Sequence, residues 1–110
     1  MTDTVNISIA KDFGRYPGGR LKADGPFSGE EFREKLLIPQ LSQKKVVYVD
    51  LDGVVGYPAC FLEEAFGGAV AKLGLSKVRD KLRILVSDDP NLKYEIDQYM
   101  ERAAKVAQAS

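Results

Sequence analysis

The apolar positions change period several times along the chain. Residues 4–9, "TVNISI", alternate apolar with polar, the period of a strand with one face buried. From 12 to 29, "DFGRYPGGRLKADGPFSG", the pattern breaks. Five glycines and two prolines there predict a long structured loop or a short hairpin. Ser28 with Glu31 then fits the S-x-x-E box that opens a helix. Phe32, Leu36, Leu37 and Leu41 follow at helical spacing, with Pro39 expected to kink that helix or end it early. "KVVYVDL", 45–51, is almost continuously apolar, as a central strand covered on both faces would be. Phe61, Leu62, Ala65, Phe66, Ala69, Val70 and Leu73 form a broad stripe on a helix over 59–74, with Gly74 as its C-terminal stop. "LRILVS", 82–87, reads as a second central strand. Asp89 and Pro90 suit the N-cap and first position of a last helix. Leu92, Ile96, Tyr99, Met100 and Ala103 give that helix an inner face, and a tail at 105–110 is expected to fray.

The resulting order is strand, loop, helix, strand, helix, strand, helix. Strands joined through helices imply a largely parallel sheet with right-handed crossovers, and 110 residues leave room for three or four strands in one domain. The core is expected over about 4–104. Sixteen basic and sixteen acidic side chains cancel, so no global field favours nucleic acid or an anionic membrane. Tyr94 and Tyr99 carry no basic stripe beside them, which argues against a nucleic-acid platform. No apolar run reaches the roughly 20 residues that span a bilayer, and the first residues lack a secretory pattern; a cytoplasmic location is expected. One cysteine excludes an intrachain disulfide framework, and the absence of histidine removes His-based triads and His metal ligands.

Three stretches offer chemistry. "VVYVDLDGVV" places Asp50-x-Asp52-Gly53-Val54 at the end of a parallel strand, where ligands collect. It resembles the first motif of haloacid-dehalogenase phosphatases, in which the first Asp attacks phosphorus and binds magnesium. That family carries its motif near the start of a longer chain with more strand ends than this one supplies. The other reading makes Asp50 and Asp52 turn residues that bond nearby backbone. "GRYPGGR", 14–20, has the G-x-x-x-x-G of a phosphate loop, but Arg20 and Leu21 stand where Lys and Ser or Thr belong. A nucleotide loop is rejected, leaving an anion or nucleotide sensor built from Arg15, Gly18, Gly19, Arg20 and Lys22 before the helix at Ser28. Cys60 lies in a first helical turn, where the dipole lowers a thiol pKa, but Glu63 and Glu64 oppose a thiolate. A buried core cysteine is the simpler reading.

"DFGRYPGGRLKADGPFSGEEFREKLLIPQL", "VDLDGVVGYPACFLEEAFGG" and "LRILVSDDP" together resemble a STAS-like family, domain of unknown function 4325, over roughly residues 6–102. It is related to the STAS domains of anti-sigma-factor antagonists. The resemblance implies a single small α/β domain with a three- to four-stranded, largely parallel or mixed sheet and about three helices. It implies a non-enzymatic, regulatory bacterial protein without a cofactor, and a protein partner of the Hsp90-like, histidine-kinase-type ATPase class. In the antagonists the loop before the helix carries Asp-Ser-Ser-Gly, whose second Ser is phosphorylated. Laid on this chain from Gly53, the four places fall on Pro58, Ala59, Cys60 and Phe61, so the hydroxyl is missing. The expected partner contacts are Tyr57, Pro58, Cys60, Phe61, Glu63 and Glu64, with an aromatic-apolar tip suited to burial against a protein.

Overall fold

A computed structural model of the protein describes residues 3–43 and 45–109. Among them three strands lie side by side in chain order, all parallel: β1 (Asp3–Ser8), β2 (Lys45–Asp50) and β3 (Leu82–Leu85). Val5 and Ile7 stand opposite Val47 and Val49, which stand opposite Leu82 and Ile84. The two-residue period puts all six on one face, and the helices pack there. On the other face Thr4, Asn6, Arg83 and Leu85 are exposed, with Val46 and Tyr48 half-buried. The apolar run of β2 therefore marks a central strand fully buried on one face only, not on both as expected. The strand expected at 82–87 as a second central one is four residues long and forms the sheet edge among the described residues.

Helix α1 runs over 29–41. Ser28 caps it: the buried Oγ accepts the Glu31 N–H at 3.0 Å, while the Glu31 carboxylate turns back to the Phe27 N–H. Pro39 does not end the helix. The turn before it, Arg33–Leu37, is widened so that the Ile38 N–H reaches the Arg33 carbonyl, five residues back. Widening a turn is one way a helix absorbs the ring and missing donor of proline. Helix α2 covers 59–73, again with one wide turn (Glu63–Gly67), and ends at Gly74, whose φ of 93° suits glycine.

A short helix absent from the sequence reading, α3 (Leu75–Lys81), follows at once. Its one buried residue is Val78, too few to write a stripe. Lys81 donates to the carbonyls of Leu41 and Gln43 and so ties α3 to the end of α1. Helix α4 (Asn91–Ala109) buries Ile96 and Met100. It continues through the stretch expected to fray; residue 110 lies outside the described residues. With a five-residue π-helical turn at Ile9–Phe13 and a 3-10 turn at Lys22–Asp24, the described residues hold four helices and those two turns, slightly more than the three helices expected.

Phe32, Phe61 and Phe66 are fully buried at the centre of the core. Phe13, from the glycine-rich stretch, packs edge-on to Phe27 and Phe32 at 5.5 and 5.4 Å and reaches Phe61 at 6.1 Å. Such ring pairs add to the stabilisation that burial alone provides. The long loop is thereby anchored by its own aromatic residues.

Candidate functional site

The C-terminal ends of β2 and β3 meet where loops 51–58 and 86–90 leave the sheet. Asp50 Oδ1 accepts the Asp52 N–H at 2.9 Å, a local turn of the Asx kind. Asp52 Oδ1 reaches across to accept the N–H groups of Ser87 and Asp88 at 2.8 and 2.9 Å. Asp88 Oδ2 accepts the Gly53 N–H at 3.1 Å in return. The two loops are clasped by each other's carboxylates. The Asp88 and Ser87 N–H groups hold the Asp52 carboxyl below its ordinary value of 3.8.

Tyr57 seals the base of the first loop. Its hydroxyl donates to the Leu51 carbonyl at 2.8 Å and its ring lies 6.0 Å from that of Phe61. Burial, and then the negative charges of Asp50, Asp52 and Asp88, push the phenol well above its usual pKa, so it stays a neutral donor. The Val55 N–H donates to the Arg15 carbonyl, tying the loop to the glycine-rich stretch. What remains outward is the tip: Val55 is 75% exposed, and Gly56, Pro58 and Ala59 are exposed beside it.

The six expected contacts are thus dispersed. Pro58 is exposed, and Tyr57 and Cys60 are half-buried. Phe61 is 0% exposed and belongs to the core, so its place in an aromatic tip is corrected. The helical stripe already contained the signal, since Phe61 shares a face with Ala65 and Ala69. Glu63 binds Arg20 at 2.6 Å, with Arg102 at 3.9 Å. Glu64 faces inward and takes the buried Arg33 guanidinium at 2.6 Å. An open acidic rim at 63–64 is therefore not what the fold builds.

The glycine-rich stretch forms a strap over the start of α1. Its carbonyls at Gly19 and Arg20 accept the N–H groups of Gly29 and Glu30, and the Gly18 N–H donates to the Phe27 carbonyl. With Ser28 taking the Glu31 N–H, the donors that an anion would use at this helix start are already engaged. Arg20 is paired with Glu63, and Lys22 with Glu34 at 2.7 Å. Those hydrogen bonds raise both basic pKa values and lower that of Glu34. Arg15 is the cation of the set left exposed without an ion pair among the described residues.

A family model for a STAS-like domain of unknown function (DUF4325) matches residues 28–92. The chain belongs to that family. The matched span runs from the cap of α1 to the first turn of α4, and so contains the clasp, the tip and all of α2. No curated protein and no solved structure matches the chain. Of the residues that build this STAS-like site, sequence reasoning found Asp50, Asp52 and Tyr57 but missed Val55, Asp88 as a clasp partner, and Arg33. Among the described residues, no helix is long and apolar enough to cross a membrane.

Proposed function

We propose that this STAS-like domain is a non-enzymatic regulatory module that docks a protein partner through the tip of loop 51–58. The exposed Val55 on a loop fastened at both ends carries the reading. A rigid, protruding apolar tip loses little entropy on binding and gains from burial. Asp50 and Asp52 spend hydrogen-bonding capacity on backbone turns, which favours their structural role over that of a phosphatase. The partner class follows the family resemblance: an Hsp90-like ATPase. Cys60 stands where the antagonists carry the phosphorylated Ser, so docking here operates without that phosphate switch.

The contact set is Val55, Pro58 and Ala59, with Cys60 and Glu63 at its margin. Val55→Asp is the decisive variant, because it changes an exposed side chain and removes no hydrogen bond. Affinity capture from the native cell, with wild type and variant in parallel and thermal unfolding as the folding check, tests the proposal. An ATPase recovered by wild type and lost by folded Val55→Asp is expected. Equal recovery by both overturns the assignment.

A further inference from the structure

Between the tip and the start of α4 lies a cleft of about 410 Å³. Leu51, Val86 and Leu92 give it an apolar floor, and Val55 stands at its lip. Asp88, Asp89 and Glu95 line its other side, and no basic residue lines it. That imbalance is local. The chain as a whole is neutral, and the carboxylates of Glu63, Glu64, Glu34, Asp97 and Glu101 each hold an arginine or lysine. Around this cleft, carboxylates meet only backbone N–H groups, as Asp88 does at Gly53 and Asp89 at Asn91. Glu95 makes no hydrogen bond or ion pair among the described residues. Burial raises the Tyr57 phenol at the edge of the cleft, and Asp50, Asp52 and Asp88 add to the rise.

We infer that the cleft receives an extended segment of the protein partner in which an arginine or lysine lies next to an aliphatic side chain. The inference rests on the docking role proposed above and specifies the chemistry of its occupant. The aliphatic group covers the floor at Leu51, Val86 and Leu92, against the inner side of the tip. The basic group lies toward Glu95 and the outer oxygens of Asp88 and Asp89. Charge attracts and selects the segment, rejecting acidic sequences by repulsion, and burial of its aliphatic group on the floor adds to the hold. A segment with only one of the two features satisfies half of the cleft.

The test uses the full chain, labelled with nitrogen-15, and four probes: hexapeptides of alternating leucine and arginine, leucine and glutamate, and serine and arginine, and the polyamine spermine. The leucine–arginine peptide is expected to shift the amides of Val54–Tyr57 and Asp88–Glu95 saturably. Glu95→Lys, which reverses an exposed charge at the cleft, is expected to weaken it about tenfold. No saturable shift at those amides, or equal binding of the leucine–glutamate peptide, overturns the inference. Equal binding of spermine or of the serine–arginine peptide also overturns it, because the cleft then reads charge alone. Capture from the native cell separates the two levels. A partner lost by Val55→Asp but kept by Glu95→Lys leaves the docking tip standing and removes the basic segment; a partner kept by both removes both.

Discussion

Asp52 and Asp88 hold each other's loops: Asp52 Oδ1 accepts the Asp88 N–H at 2.9 Å, and Asp88 Oδ2 accepts the N–H of Gly53, next to Asp52, at 3.1 Å. The relationship fixes the width of the cleft and the angle of the tip. Asp52→Ala removes the acceptor of two N–H groups and is expected to lower the urea midpoint without changing its slope. Asp52→Asn keeps an oxygen in place and is expected to fall between. Faster hydrogen exchange at Ser87 and Asp88 in Asp52→Ala than in wild type is the local signature; unchanged exchange would remove the clasp from the account.

The same carboxylate sets an acid limit. Its folded pKa lies below 3.8, so the unfolded chain binds the proton more readily than the folded one. The stability this provides is fully present above the ordinary carboxylate value and is lost as pH falls through the lowered folded value. Wild type is therefore expected to lose stability more steeply than Asp52→Asn on acidification below about pH 4. Parallel acid titrations followed by circular dichroism check this, and superimposable curves would contradict it.

Phe61 is the residue whose reading changed most, from surface contact to core. It is fully buried against Phe13, Phe32 and Tyr57. Phe61→Ala is expected to cost about 3–5 kcal/mol, the range for a large aromatic truncated in a core. A loss below about 1 kcal/mol in denaturant unfolding would place the ring back at the surface.

Arg33 of α1 lies over Gly68 of α2, where any β-carbon would strike its guanidinium. Glu64 holds the arginine from one turn earlier, by both its carboxylate and its backbone carbonyl. A helical Gly→Ala change ordinarily stabilises by about 1 kcal/mol. Gly68→Ala is expected to destabilise instead, by about 1–3 kcal/mol, since overpacking outweighs propensity here. In an Arg33→Ala background Gly68→Ala is expected to become neutral or favourable. Additive effects in this double-mutant cycle would rule out the contact as the cause.

The strap over α1 is expected to bind no anion. Arg20 and Lys22 are paired and the helix-start amides are occupied, which leaves Arg15 alone to attract an anion. Inorganic phosphate or a nucleoside triphosphate at millimolar concentration should leave the melting temperature unchanged, in wild type and in Arg20→Ala alike. Arg20→Ala should cost less than about 1 kcal/mol, as exposed ion pairs usually do. A phosphate-dependent rise in melting temperature, abolished by Arg20→Ala, would restore the sensor reading.

The features legible in the sequence were those set by neighbours along the chain. Alternation marked β1, the 3.6-residue stripe marked α2, and Ser28 and Gly74 marked helix ends, because their hydrogen bonds close within a few residues. The early helix end that Pro39 suggested did not occur, since the helix widened the turn before it. Helix α3 buries only Val78 and wrote too little pattern to be seen. The site was less legible, because its character depends on which charges are left over after folding. Asp52 finds its donors 35 and 36 residues away, and Arg20 finds Glu63 at 43. No local pattern distinguishes a carboxylate that will clasp a loop from one that will stay open. Periodicity assigned Phe61 to a buried face, and only packing against Phe13 and Phe32 showed that this face prevails over the tip. The sequence alone determined most of the elements and the family. Tertiary structure decided which side chains are spent on the fold, and so left Val55 and Glu95 facing outward.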